Sequence, residues 1–307
     1  MIPKELPFQV DQDTLDQIIL GDFMIPADHQ AVYFLPGLMS NLGSPNSELR
    51  ENSLDVLWIW LEKGQFDNET VVKIADQMVS NLKISLGEIN TDSVFLRAFS
   101  ALILGCAIEF DIELRTTKGI GLFNDDQIHS WLKTAMELLR DEKDLRGYVE
   151  AKGWAHCSAH TGDLLATFAK HQLIDRNDLQ DILNTLQVRF TTPVESVFVH
   201  NEDERLAAVV LKILQRELVS EEFFKTWLEG FISNSEHMDW KSSYTHPTWN
   251  CARVNTKAFL RGIYFFLVYG YKDQPEHHNV ELAEKLKPML LNTLRQIYPT
   301  SRYADGL

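Results

Sequence analysis

Gly153-Trp154-Ala155-His156-Cys157-Ser158-Ala159-His160-Thr161-Gly162-Asp163-Leu164-Leu165 is the stretch on which the fold of this 307-residue chain turns. Large apolar residues recur at Trp154, Cys157, Leu164, Leu165 and Phe168, a helical rather than alternating spacing. The segment therefore reads as one helix starting at Gly153. Ala155, Ala159, Gly162, Ala166 and Ala169 make a second face of small residues, where another helix can approach closely. Between the two faces runs a polar stripe of His156, His160 and Asp163. Asp163 is the only formally charged residue between Lys152 and Lys170. A helix that is apolar or small on nearly every side is a buried one. Two imidazoles and a carboxylate are thus expected in the interior.

Working outward, helical patterns follow one another between short caps. Upstream lie Thr14–Leu20, a helix through Ala31–Leu35 capped by Asp28 and kinked or ended at Pro36-Gly37, and Ser47–Lys63. Asp67 opens the next, Thr91 or Asp92 precedes the apolar Val94–Phe110, and Asn124 or Asp125 starts Ile128–Leu139. The charged run Arg140–Arg146 leads into the central stretch. Downstream, Asp175 caps a helix that ends before Pro193, and the alternating, β-branched Glu195–Val199 is a short strand or extended chain. Asn201 precedes Leu206–Leu214, Ser220 precedes Phe223–Ile232, and Ser233–Pro247 is a loop. A long helical run to Tyr271 and a last helix within Pro275–Ile297 follow. The fold class is all-α. First helices of successive pairs recur at roughly 50 residues, so antiparallel helical hairpins packed as a HEAT-like solenoid or an α/α ring around a central buried helix are expected. No linker composition appears, which makes residues 1–307 one domain, with 1–45 as a peripheral N-terminal cap.

Composition narrows the function classes. Lys and Arg total 29 against 44 Asp and Glu, a formal charge of −15. A phosphate-backbone binder needs the opposite sign, so nucleic acid and anionic membranes are excluded as generic partners. The N-terminal MIPKELPFQVDQDTL lacks a secretory pattern, and the longest apolar run, Ala98–Ile108, is too short to span a bilayer. Cys106, Cys157 and Cys251 form no CxxC pair and read as reduced core residues of a cytoplasmic protein.

Four chemistries compete for the polar stripe. In the first, each imidazole and the carboxylate is satisfied internally, as buried polar groups normally are. In the second, His156 and His160, four residues apart, bind a divalent metal, with His200, Glu202, Asp203, His237 or His246 completing the set. Asp163, about 10 Å along the axis from His156, is then an orienting group rather than a ligand. In the third, Asp163 holds the tautomer of a general base, His160. In the fourth, Cys157 is a nucleophile paired with His160, although an apolar setting makes such a thiol inert. Two further groups stand out. Asn201-Glu202-Asp203-Glu204 has capping-box spacing, or turns Glu202 or Asp203 toward the histidines. Asn250, Arg253, Lys257 and Arg261, with Tyr264, share one face of a late helix and form a basic stripe suited to an anion.

The chain resembles an uncharacterised bacterial family, domain of unknown function 2785. The resemblance rests on Arg146-Gly147-Tyr148 with the central stretch Gly153–Leu165, on Asn201-Glu202-Asp203-Glu204-Arg205-Leu206, and on Asn255 through Phe265. It implies a compact all-helical protein and supplies no activity. The expectation is one cavity or buried network lined by His156, His160, Asp163, Glu202, Asp203, Arg253, Lys257, Arg261 and Tyr264. It would bind an unknown protein or a small anionic ligand. The enzymatic alternative is a hydrolase using a metal held by His156 and His160, or the catalytic pair His160 and Asp163.

Overall fold

The computed structural model describes residues 9–233, 240–270 and 280–297. Local chemistry sets where most helices begin. Asp11 accepts the Thr14 amide and opens α1 (Gln12–Leu20). In α2 (Ala31–Asn41) the N-cap is Gln30, without a side-chain capping bond, so Asp28 does not perform that task. This helix also runs past the predicted break at Pro36. The carbonyl that Pro36 leaves unbonded belongs to Val32, itself 49% exposed, where water can reach it. Asn46 caps α3 (Ser47–Glu62) and Asp67 caps α4 (Asn68–Asn81), each through the amide three residues on. Next come α5 (Ser93–Lys118) and α6 (Asp125–Asp141), the latter with a full capping box between Asn124 and Gln127.

A short antiparallel hairpin follows, β1 (Tyr148–Val149) on β2 (Gly153–Trp154), and then α7 (Cys157–Lys170). The central stretch is therefore not one helix from Gly153. Ala151 (φ 62°), Gly153 (φ 75°) and His156 (φ 53°) all adopt left-handed backbone, which no continuous right-handed helix tolerates. The remaining elements are α8 (Arg176–Thr191), α9 (Glu202–Gln215), α10 (Glu221–Ser233), a 3-10 turn at Ser242–Thr245, α11 (Pro247–Tyr269) and α12 (Val280–Ile297). Twelve α-helices and one two-residue hairpin make the described chain all-α.

The chain divides into two compact units, Met1–Leu173 and Ile174–Leu307. The boundary lies in the turn between α7 and α8, His171–Asp175, whose composition carries no Pro or Ser to announce it. In the first unit α5 is the core helix, packed by α3, α4 and α7. Its length and composition would suit a membrane span, yet 67% of that apolar window is buried against its neighbours. Each large apolar side chain so buried contributes about 1.5–3 kcal/mol. In the second unit α11 is the counterpart, packed by α8, α9 and α12. Its Phe259 ring stacks on Phe190 of α8 at 4.0 Å between centroids and 17° between planes.

Charge buried in the first unit sets its register. Arg97 of α5 and Glu142, both essentially inaccessible, form a forked pair at 2.7 and 3.2 Å. The same guanidinium donates to the carbonyls of Ile84 and Ser85 and to Ser93 Oγ, and Glu142 Oε1 accepts the Asp144 amide. At the other end of α5, Asp111 and His171 are both fully buried. His171 Nδ1 accepts the Leu173 amide at 3.1 Å, so Nε2 carries the hydrogen and donates it to Asp111 Oδ2 at 2.8 Å. Arg115 Nε donates to the same oxygen at 2.6 Å, and the amides of Leu122 and Phe123 donate to the other.

Burial alone would raise the Asp111 carboxyl. The donations from His171, Arg115 and the two amides outweigh it and hold the group at about 2, against an ordinary 3.8. A depressed carboxyl stabilises the fold above its unfolded value and ceases to do so as pH falls through its folded one. Asp111 is therefore expected to contribute on the order of 2 kcal/mol above about pH 4, lost progressively toward pH 2. Urea midpoints of the parent and Asp111→Asn, measured from pH 7 downward, should differ most at neutral pH and converge near pH 2. A gap independent of pH would show that the carboxylate charge is not what holds this corner.

Candidate functional site

The residues that the sequence singles out fall into both units. His156, His160 and Asp163 belong to the first; Glu202, Asp203, Arg253, Lys257, Arg261 and Tyr264 belong to the second.

In the first unit, the hairpin is what presents His156. Arg50 of α3 lies fully out of water, its guanidinium stacked over Phe95 (4.2 Å) and Phe99 (4.7 Å). It donates to the carbonyls of Ser44 at 2.7 Å, Lys152 at 2.7 Å and Trp154 at 3.2 Å. Lys152 Nζ pairs with Asp92 at 2.7 Å, and Arg146 is gripped by Asp144 and by the Thr91 carbonyl. The carbonyls of Gly147 and Arg146 take the amides of Ala155 and His156, which extends the pairing beyond the hairpin. His156 thus ends an extended segment, as the left-handed N-cap of α7, and not on its helical face.

Four rings continue from the surface inward. Tyr148 (54% exposed) meets Trp154 (38% exposed) edge-on at 5.2 Å. Trp154 stacks on His156 at 4.7 Å and 25°, and His156 meets His160 edge-on at 5.7 Å. Both imidazoles are buried, and His160 also packs edge-on against Phe99. His160 Nδ1 lies 3.3 Å from the Ala98 carbonyl, and since a carbonyl only accepts, that nitrogen carries the hydrogen. The group that orients Nδ1 is therefore a backbone oxygen of α5. Asp163 is half-buried and lines a groove of about 240 Å3 between α3, α5 and α7, with Trp58, Leu102, Thr167 and the Glu109–Lys170 ion pair.

Among the described residues, no three His, Cys, Asp or Glu side chains gather as a group that could hold a metal. His237 lies outside the described residues, and His246 is exposed. Cys157 is fully inside; burial first, then the adjacent Glu142, push its thiol well above the ordinary value. Cys106 is raised by burial and then by Glu62 and Glu109. Both are poor nucleophiles. Cys251 on α11 is half-buried.

In the second unit, Asn201 is a left-handed N-cap without a side-chain capping bond, so the predicted capping box does not form. Glu202, buried, instead turns back to accept the His200 amide at 2.8 Å. A methyl group placed on Gly262 of α11 would meet Ala207 Cβ at 3.2 Å and Glu204 Cα at 3.8 Å. Absence of a side chain there lets the acidic first turn of α9 lie against α11, one residue from Arg261. Asn255 anchors the extended chain before α9, accepting the Phe198 amide at 2.8 Å and donating to the Ser196 carbonyl at 3.1 Å.

The basic stripe on α11 forms one sheltered face: Arg253 is buried, with Asn250, Lys257, Arg261 and Tyr264 intermediate. Arg253 is pre-shaped. Its guanidinium lies 4.1 Å above the Tyr244 ring, Nη2 donates to Asn250 Oδ1 at 2.5 Å, and Nη1 donates to the Tyr244 hydroxyl at 3.3 Å. Burial, then Arg261 and Arg253, lower the Lys257 ammonium, with Tyr244 acting in the opposite sense. Across on α9, burial and then Glu204 and Glu202 raise Asp203. Like charges are gathered on each helix.

The sequence missed Arg50, Arg97, Asp111, Glu142 and His171, the residues that hold the first unit in shape. A family model described as "Protein of unknown function (DUF2785)" matches residues 82–265, more than half of the 307-residue chain. No curated protein and no solved structure matches.

Gly153→Ala tests whether the hairpin is as tightly seated as these contacts require. The added Cβ would lie 2.7 Å from Ser47 Cβ and 3.2 Å from Arg50 Nη2, on a backbone at φ 75°. A loss of about 2 kcal/mol or more is expected in thermal melts, with altered near-ultraviolet dichroism from Tyr148 and Trp154. Gly64→Ala is the control, at φ 63° with nothing within 4 Å, and should cost about 1 kcal/mol. Equal losses at both positions would mean that the hairpin yields.

Proposed function

The chain belongs to the DUF2785 family, and on that premise we propose that it is a binding protein for a small anionic ligand held on the Arg253–Lys257–Arg261 face of α11. The observation that carries this reading is the gathering of like charge on a sheltered surface. Three cations one turn apart share a half-buried helix face, and the charges that shift Lys257 most are its two arginine neighbours. Cations grouped on one face give a carboxylate or phosphate several charge-assisted donors at once. Arg253 adds direction. A guanidinium already fixed by Tyr244 and Asn250 loses little further freedom when it grips an oxyanion. Stacked helical hairpins, in a HEAT-like or ring arrangement, are a scaffold suited to presenting such a face.

The hydrolase reading of His160 and Asp163 has less behind it. The Nδ1 hydrogen of His160 is given to the Ala98 carbonyl, and both imidazoles are closed in by aromatic rings.

Phosphate or pyruvate is expected to raise the melting temperature of the full chain, by up to about 2.7 kcal/mol of apparent stability at a hundred times Kd. Sodium chloride of equal ionic strength should not reproduce the shift, and Arg253→Met should remove it. A melting curve indifferent to both anions would defeat the proposal.

A further inference from the structure

We propose that the groove between α3, α5 and α7 is a second binding site, for a small organic ammonium ion with a compact apolar body. It belongs wholly to the first unit. Two helices frame it. The Ala98 carbonyl of α5 meets His160, and Glu109 of α5 meets Lys170, so α5 and α7 run side by side in the same direction. Gly105 lies between those two contacts, buried, and lines the groove. A Cβ placed there would stand 3.9 Å from Leu164 Cδ1 and 4.0 Å from Thr167 Oγ1, which are ordinary contact distances. A methyl group would fit, and glycine leaves that volume open. The groove holds about 240 Å3. Sites for drug-sized molecules hold roughly 300–1,000 Å3, so the occupant here is smaller.

The lining selects the sign of the charge. Asp163 and Glu109 are carboxylates and Lys170 is the one cation among the lining residues, so one negative charge is in excess. Lys170 Nζ lies 2.6 Å from Glu109 Oε2. Trp58 gives its only donor, Nε1–H, to Glu62 at 2.7 Å. What the indole offers an occupant is therefore its ring, which attracts cations and apolar groups and gives an anion nothing to bond. Asp163 is half-buried, and a carboxylate has about four lone-pair sites, room for an ammonium donor beside the interaction it already makes within the protein. Seven residues separate it from Lys170, about 10 Å along α7, so an ammonium at Asp163 stands clear of that like charge. The walls at Ala101, Leu102 and Leu164 are apolar. An ammonium on Asp163, with a hydrocarbon body along Leu102, Leu164 and Trp58, meets all of these constraints.

The test is calorimetric titration of the full chain with phenethylamine at neutral pH, where the amine is protonated. It is expected to bind at least tenfold more tightly than phenethyl alcohol, which has the same body without the charge. Asp163→Asn should weaken the amine at least tenfold and leave the alcohol unchanged. Asp163 also has a place in the packing, so Gly105→Ala supplies a second variant. Its methyl enters the groove at ordinary contact distances and removes a glycine from a helix interior. Its melting temperature should equal or exceed that of the parent, while its affinity for the amine falls at least tenfold. Equal affinity for amine and alcohol would refute recognition of the charge. Amine binding that survives Gly105→Ala, or an amine that does not bind the parent chain, would overturn the site.

Discussion

A guanidinium removed from water needs acceptors, and Arg50 is such a group, its two terminal nitrogens bonded while the buried Nε has no partner among the described residues. Its hydrogen bonds go to backbone carbonyls of residues 44, 152 and 154, two of which lie about a hundred positions away in the chain, and Glu51 Oε1 lies 3.6 Å from Nη2. The hairpin, as it runs here, supplies two of those oxygens at once. Phe95 and Phe99 present their faces to the cation and close it off from solvent. The left-handed backbone at His156, the stacking of its ring on Trp154 and the start of α7 at Cys157 all follow from how that hairpin is seated.

Arg97 works in parallel. It ties α5 to Glu142 and to the turn at residues 84–85, so the charged run after α6 is drawn inward. Glu142 and Asp144 are buried there, one bonding the other's amide, and Asp144 in turn grips Arg146. An apolar core helix thus carries an ionic collar toward each end, Arg97 with Glu142 at one and Asp111 with His171 at the other. Hydrophobic burial gives the first unit its stability, and the collars choose which neighbours pack in which register.

Much of the helix count was legible because caps are local chemistry. Asp67, Asn124 and Asp175 start helices as their short polar side chains predict, and each does so by bonding an amide two or three residues away. The all-helical class and the basic face on α11 were legible for the same reason, since both depend on spacing alone. What stayed hidden depends on partners distant in sequence. The apolar spacing from Trp154 to Phe168 suits a helix, and nothing within that stretch reveals that Arg50 holds its first residues extended. Ala151 and His156 carry no glycine signature for their left-handed backbone. Glu142 and Asp144 sit in a run that looks solvated until Arg97 and Arg146 are placed beside them. Asn201 has the residue type of a cap but the wrong backbone, because Glu202 is drawn to the preceding amide.

The three cysteines have a practical corollary. Two are sealed inside the first unit with thiols held in the protonated form, while Cys251 is half-buried on α11, two residues before Arg253. A maleimide dye added to the folded, unaltered chain would react there first. The wild-type sequence therefore carries its own attachment point for an optical reporter, on the same helix as Arg253, Lys257 and Arg261.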